Sequence, residues 1–315
     1  MKIKFWGVRG SVPTPLTPRQ LQNRISAVIE RIQPHDIRNQ DTREAFMARL
    51  PSYLLETIGG NTTCLEVFTE KGQQIIIDAG SGIRGLGQRI VEKPTEGKEC
   101  HLFFTHFHWD HIQGLPFFDP AFRKGYTIHL YSPVEGFEDI LRQQMRLPYF
   151  PITMDVMPAN LVFHHLGEKP LSLNGMEVSW RKMKHPGGCY SYRFREKDKI
   201  FIFSTDTELT EDDFMKNDEN TEYFKDADIL AIDSQYTLGE AIEKFDWGHS
   251  SYSLAVDFAS EWGIRKLILF HHEPKYEDKK MFQILKSAGW YKRHLGPDAG
   301  DMDILLAQEG LELKL

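Results

Sequence analysis

The stretch Thr105-His106-Phe107-His108-Trp109-Asp110-His111 sets three imidazoles and one carboxylate within six positions, His106 to His111. Imidazole nitrogen and carboxylate oxygen are the usual ligands of zinc and related divalent ions. The residues before it, Cys100-His101-Leu102-Phe103-Phe104, read as a short buried strand, and Gly114, Leu115 and Pro116 follow it. The cluster therefore belongs in a loop at a strand's end. A loop can turn neighbouring side chains toward one point, whereas a strand alternates them between faces and a helix spreads them around its axis. Histidine makes up only 13 of 315 residues, so chance is a poor explanation for three within six positions.

Farther along the chain, three more potential ligands sit directly behind apolar, β-prone runs. His185 follows Met176-Glu177-Val178-Ser179-Trp180 and precedes Pro186-Gly187-Gly188. Asp206 follows Ile200-Phe201-Ile202-Phe203, within Ser204-Thr205-Asp206-Thr207. His271 closes Lys266-Leu267-Ile268-Leu269-Phe270. Strand ends are where α/β proteins gather their active-site residues. Any one of the three alone reads equally well as an ordinary polar strand end.

The spacing of the first motif, HxHxDH, followed by a later His, Asp and His in that order, resembles the metallo-β-lactamase superfamily. Asp78-Ala79-Gly80 resembles the superfamily's first motif, whose Asp supports the metal loop from behind its ligands. The resemblance implies an α/β (α+β) fold, a four-layered αββα sandwich of two mixed β-sheets flanked by helices. It implies one divalent ion on His106, His108 and His185, a second on Asp110, His111 and His271, and Asp206 bridging them. Zinc is the first expectation, and manganese or iron suits the same ligands. Such a pair, about 3.5–4 Å apart, can hold a hydroxide between its ions and polarise a phosphoryl oxygen. His271 is preferred over His272 because the closing His of the family stands a few residues before a Pro, here Pro274. Strand alternation then sends His272 elsewhere.

His249, in Gly248-His249-Ser250-Ser251, is spare once these ligands are assigned. A similar His followed by Ser or Thr occurs in the phosphodiesterase branch, including the tRNA 3′-end endonuclease, as proton donor or phosphate contact. The competing reading is a helix cap supplied by Ser250 or Ser251. The opening Phe5-Trp6-Gly7-Val8-Arg9-Gly10-Ser11 and Gly59-Gly60-Asn61-Thr62-Thr63 together resemble the subgroup of the phosphoribosyl cyclic phosphodiesterase and bacterial cyclic-nucleotide phosphodiesterases. The resemblance thus implies hydrolysis of small cyclic phosphodiesters, with His249 and Asp110 as catalytic residues. Phosphomonoesters are disfavoured, since the motifs lack a nearby Arg or Lys cluster for the extra charge. Thioester or lactam hydrolysis on the same fold, tRNA processing, and a non-catalytic metal-binding protein stay open as alternatives.

Composition narrows the setting. The apolar fraction is 41%, enough for a large core, and the net charge is −7, which argues against an extended nucleic-acid-binding face. A small anionic substrate remains compatible, because two divalent ions reverse the local field. The chain shows no apolar stretch of membrane-spanning length and no secretory leader pattern at its start. Cys64, Cys100 and Cys189 are odd in number and scattered, which suits a reducing compartment. A cytoplasmic location is expected.

The chain reads as a single domain over 1–315 with two excursions. Strands are expected at 62–68, 73–77, 127–131, 161–165, 176–182, 191–194, 200–203, 229–232, 302–306 and 311–315, with helices at 83–92 and 252–262. The excursion 14–58 holds two helical patterns, 19–32 and 41–55, and is expected to be a surface addition, a lid or a homodimer contact. The excursion 133–158 is rich in Phe, Met, Pro and Tyr and caps a pocket or simply packs. Gly80-Ser81-Gly82-Ile83-Arg84-Gly85 is nominally a dinucleotide fingerprint. The next strand ends in Thr105 and His106 instead of the acidic residue that such a site needs, so these glycines read as a tight strand-to-helix turn.

Overall fold

The apolar runs on both sides of the histidine loop pair into two mixed sheets. The computed structural model describes residues 1–94, 96–296 and 301–315. Its strands are β1 (Lys2–Gly7), β2 (Cys64–Phe68), β3 (Gln74–Ile77), β4 (Glu99–Phe103), β5 (Thr127–Ser132) and β6 (Asn160–His165). Then follow β7 (Leu171–Leu173), β8 (Met176–Met183), β9 (Cys189–Glu196), β10 (Lys199–Ser204), β11 (Ile229–Asp233), β12 (Lys266–Phe270), β13 (Asp303–Leu306) and β14 (Glu312–Lys314). Among the described residues the sheets have seven strands each, in the orders β14-β1-β2-β3-β4-β5-β6 and β13-β12-β11-β10-β9-β8-β7. Each is built alike. One half is antiparallel, and the other, β3 to β6 or β10 to β13, is parallel.

Parallel neighbours need crossovers, and helices supply them. The helix Ile83–Glu92 links β3 to β4, Tyr252–Glu261 lies between β11 and β12, and Asp278–His294 links β12 to β13. Alternation along the strands then builds two cores. Ile75, Ile77 and Phe103 face the second sheet, where Phe103 meets Tyr192 and Phe194 edge-on at 5.5 and 6.2 Å. Ile76 and Leu102 face outward, onto Leu86 and Ile90 of the first crossover helix. Strands buried on both faces read as continuous apolar runs, as Ile75-Ile76-Ile77 does. The layers are helix, sheet, sheet, helix, as the resemblance implies.

Most boundaries fall within two residues of expectation. The pattern at 41–55 breaks into Gln40–Arg49 and Ser52–Leu55, because Leu50 precedes Pro51 and takes extended dihedrals. The spacing argument also passes over the 17-residue helix Asp278–His294, although Met281, Ile284 and Ala288 form its buried stripe. The excursion 133–158 packs behind the histidine loop. Its helix Phe137–Gln144 sets Phe137 6.0 Å from Phe107, and Gln144 donates to the Ile112 carbonyl at 3.1 Å. In the other excursion the helix Pro18–Ile29 opens with a Thr17/Gln20 capping box, and Arg24 pairs with the buried Asp278. None of that helix's residues is buried, and Leu21, Ile25 and Ile29 are exposed. No helix among the described residues is long and apolar enough to cross a membrane.

Candidate metal centre

Asp78 organises the loop that follows β4. It stands at the end of β3, fully buried and with a left-handed φ of 60°. Its Oδ1 accepts the Thr105 amide and its Oδ2 the Thr105 hydroxyl, each at 2.8 Å, and His111 Nδ1 lies 2.8 Å from Oδ2. One carboxylate thus ties together the two ends of the His106–His111 segment. The turn after Asp78 has no room for side chains. A Cβ on Gly80 would lie 2.3 Å from the Asp110 carbonyl oxygen, and one on Gly114 would lie 2.1 Å from that of Gly80. The glycines serve this close approach, as the strand-to-helix reading requires.

The structure brings all seven expected ligands together, in two groups. His106, His108, His185 and Asp206 form one, and Asp110, His111, Asp206 and His271 the other, with donor atoms within 4.8 Å of one another in each group. Asp206 belongs to both. Its Oδ1 lies 3.7 Å from His106 Nε2 and 3.8 Å from His185 Nε2. Its Oδ2 lies 3.0 Å from His111 Nε2 and 3.1 Å from His271 Nε2. Asp110 Oδ2 is 3.3 Å from both of these nitrogens, and His185 Nε2 is 3.1 Å from His108 Nδ1. Ligands of a tetrahedral ion at about 2.0–2.1 Å are roughly 3.3 Å apart, so these spacings match.

Two further observations test the fit. His106 Nε2 and His111 Nε2 are buried without a hydrogen-bond partner, although carboxylate oxygens stand close by. Lone pairs that converge on a point without a donor there are what a cation requires. The donor set is also unbalanced as it stands. Asp78, Asp110 and Asp206 are buried around one another, and buried carboxylates need compensating charge. Burial alone would lower the His111 pKa, yet Asp206, Asp110 and Asp78 hold it well above its ordinary value. Burial likewise opposes ionisation of Asp206, and His271, His111 and His106 outweigh it, leaving Asp206 well below the carboxylate range. Imidazole and carboxylate around two foci therefore suit two divalent ions.

The backbone supports the same reading. Asp206 and His271 hold φ of 47° and 59°. Such conformations are uncommon outside glycine and cluster at functional sites. Each re-aims a side chain at a strand end, after β10 and after β12. Alternation takes His272 out of the cleft, where its Nε2 meets the Ala307 carbonyl oxygen at 2.8 Å and burial pushes its pKa down to about 3.

His249 stands beside the two groups. Its ring stacks on His271 at 5.0 Å, and its Nδ1 is 2.6 Å from Oδ2 of Asp233, a fully buried residue ending β11. Asp233 Oδ1 accepts the amides of Gln235 and Ser250, each at 3.1 Å, which fixes the carboxylate. Burial opposes protonation of His249, but Asp233, and then Asp206 and Asp110, raise its pKa to about 9. Asp233, His249 and His271 also fall within metal-ligand spacing. The short Asp233–His249 contact, with His271 already turned toward Asp206 and Asp110, marks an imidazole–carboxylate pair. Capping of the helix Tyr252–Glu261 falls to Ser251, which accepts the Leu254 amide at 3.2 Å, so His249 is not needed there.

Several supporting residues lie beyond what spacing reveals. Asp233 is one. Ser11 donates its amide to Asp110 Oδ2 at 2.7 Å, Gln235 Oε1 is 3.2 Å from His271 Nδ1, and the Gly248 carbonyl oxygen is 2.8 Å from His185 Nδ1. Each orients a ligand from behind. The strand-like run 229–232 stops one residue short of Asp233, whose partner lies 16 residues farther on. The open cavity over the site measures about 400 Å³ and is lined by Ser11, Phe107, His108, Trp109, Asp110, Asp206, His249 and His271. A larger hollow of about 1100 Å³, beside Trp290, Lys292 and Arg293, has no histidine or cysteine among the described residues that line it.

Comparison with known proteins agrees with this geometry. The sequence model of the "Beta-lactamase superfamily domain" matches residues 73–272, more than half of the chain. Ribonuclease Z of Oceanobacillus iheyensis is 25% identical over 293 residues, covering 76% of this chain and 91% of that protein. Zn²⁺-bound PqqB from Methylobacterium extorquens superposes with a TM-score of 0.65 at 15% identity, covering 100% of both chains. A diphosphatase of the PhnP family gives a TM-score of 0.63 at 19% identity, covering 100% of this chain and 97% of that one. At these identities the two structures attest the fold. The chain belongs to the β-lactamase superfamily and has the metallo-β-lactamase fold of its metal-dependent hydrolases.

Proposed function

We propose that this chain is a phosphodiesterase, dependent on two divalent ions, that hydrolyses small cyclic phosphodiesters such as cyclic nucleotides. His106, His108 and His185 would hold one ion, Asp110, His111 and His271 the other, with Asp206 shared. Zinc is the first choice, and manganese or iron fits the same ligands. When bound, such ions supply Lewis acidity, polarising a phosphoryl oxygen and lowering the pKa of water toward about 7.

The observation that carries the reading is the His249–Asp233 pair on the wall of the cavity. Breaking a diester releases an alkoxide, which needs a proton. Asp233 holds Nδ1 of His249, which leaves Nε2 to give that proton to the leaving oxygen. Divalent ions would neutralise the contribution of Asp206 and Asp110 to the charge on His249, while the bond to Asp233 persists. Thioester hydrolysis, which expels a stable thiolate, has less need of such a donor poised beside the ions.

Size and surface support a small, base-bearing substrate. The cavity volume lies in the small-ligand range. Trp109, on its lining, is 81% exposed, and Trp247, two residues before His249, is also exposed. Exposed indole faces at a phosphate-binding cleft suit a stacked nucleobase. We read 1–315 as a single catalytic domain, because β14 pairs with β1 and so closes the first sheet with both ends of the chain. Cys64, Cys100 and Cys189 are buried and unpaired, in keeping with a cytoplasmic location.

A second reading is RNA 3′-end processing, favoured by the likeness to ribonuclease Z. The acidic net charge weighs against it. Metal content and turnover on 2′,3′- and 3′,5′-cyclic nucleotides, a tRNA precursor, a phosphomonoester, a β-lactam and a thioester would decide. The expected pattern is close to two ions per chain and highest turnover on a cyclic diester. Preference for the tRNA precursor would select the second reading. Lactam or thioester hydrolysis without diesterase activity would overturn both.

A further inference from the structure

Three of the histidines that the cleft leaves over gather at one other place. His101 of β4 and His129 of β5 are register mates, and their rings stack at 4.8 Å with 8° between planes. His164 of β6 joins them, with its Nε2 2.9 Å from His129 Nδ1. The Tyr131 hydroxyl lies 2.9 Å from His101 Nδ1. Glu99, exposed at the start of β4, projects from the same face as His101 two residues later. One donor atom from each of Glu99, His101 and His129 lies within 4.8 Å of the other two. β4 begins here and delivers His106 beyond its other end, so this cluster is separate from the cleft.

The hydrogen bonds decide which nitrogens remain. Both Nδ1 atoms are engaged, that of His101 by Tyr131 and that of His129 by His164, so the Nε2 atoms of both rings are left. His101 Nε2 is buried and has no partner. An orphaned buried nitrogen in a native fold calls for an explanation, and an ion is one of the few available. Partners at Nδ1 are also how metal-ligating histidines are held in orientation and tautomer.

We propose that Glu99, His101 and His129 form a third metal site, for a borderline divalent ion of the zinc class, with water completing the shell. Two imidazoles and one carboxylate suit zinc, nickel or copper and disfavour magnesium and calcium, which prefer all-oxygen shells. The ion clips β4 to β5 at their leading ends and stabilises the folded state by mass action.

The test uses the whole chain with its cleft ions loaded, dialysed against increasing zinc, with metal counted by elemental analysis. Wild type should take up one zinc per chain more than Glu99→Gln and His129→Gln, and magnesium should not substitute. Glu99 is exposed, so Glu99→Gln keeps the test valid even if His129→Gln folds poorly. Turnover of both variants should match wild type, and the extra zinc should persist in Asp206→Ala, which disrupts only the cleft. Equal zinc uptake by wild type and both variants would overturn the proposal. So would an extra zinc lost in Asp206→Ala but kept in Glu99→Gln.

Discussion

The two sheets furnish the cleft in different ways. The first sheet gives four donor groups from one loop, His106 to His111, locked by the single carboxylate of Asp78. The second sheet gives one residue per strand end: His185 after β8, Asp206 after β10, Asp233 at the end of β11 and His271 after β12. The backbone reflects the difference. Asp206 and His271 are re-aimed by left-handed φ values, whereas the loop's own ligands have none and ride on the short turn Trp109–Ile112. A loop concentrates ligands without local strain. Strand ends spread the same task over four elements, so the second half of the site depends on the register of the whole sheet.

The largest effect should come where the two halves meet. Asp206→Ala removes the carboxylate shared by both groups and should cost both ions and essentially all turnover, with far-ultraviolet circular dichroism near wild type. Asp110→Ala should weaken one ion while also abolishing turnover. Elemental analysis checks both. If Asp206→Ala keeps a full complement of ions, the sheets do not share a ligand and the comparison fails. His271→Ala should likewise lower metal content and turnover together, and His272→Ala should do much less, since His272 bonds the Ala307 carbonyl outside the cleft. The reverse ranking would put the register of β12 off by one.

The contrast between the sheets also explains what was legible in the sequence. Three histidines within six positions are readable by density alone. His185, Asp206 and His271 look like ordinary strand ends one by one, and become a ligand set only through their order. Asp233 was not legible, because its role is set by His249, which the fold brings to it across 16 residues. Strand positions followed from apolar runs, because both faces of β3, β4, β10 and β11 are covered and few polar residues interrupt them. The long helix Asp278–His294 carries charge around most of its circumference, which dilutes its buried stripe.

A smaller loss than that of a ligand is expected at His249. His249→Ala should reduce kcat by about 10²–10⁴ on a cyclic nucleotide, the usual worth of a positioned acid, while metal content stays near wild type. The loss should shrink on a nitrophenyl diester, whose leaving group needs little protonation. An equal loss on both would mean that His249 contacts phosphate and donates no proton. Asp78→Asn probes the other half of the site. It should lower metal affinity by roughly 10–100-fold, as removal of a group behind the ligands commonly does. Metal affinity unchanged in Asp78→Asn would show that the loop holds its shape without the carboxylate that joins its two ends.

The smallest effect sharpens the comparison at the surface. Trp109 sits between two ligands on the first sheet's loop, yet its indole is 81% exposed. Stacking of a base on an aromatic ring is worth about 1–3 kcal/mol, and an open face should realise the lower end of that range. At about 1.4 kcal/mol per factor of ten, Trp109→Ala should raise KM for a cyclic nucleotide by roughly tenfold. kcat and metal content should hardly move, and Trp109→Phe should restore most of the affinity. On a dialkyl phosphodiester, which has no ring to stack, Trp109→Ala should leave KM unchanged. A parallel loss on both substrates, or a drop in metal content, would assign Trp109 to the shape of the loop. The loop would then, like the strand ends of the other sheet, serve the ions alone, and the base of the substrate would have to be read elsewhere.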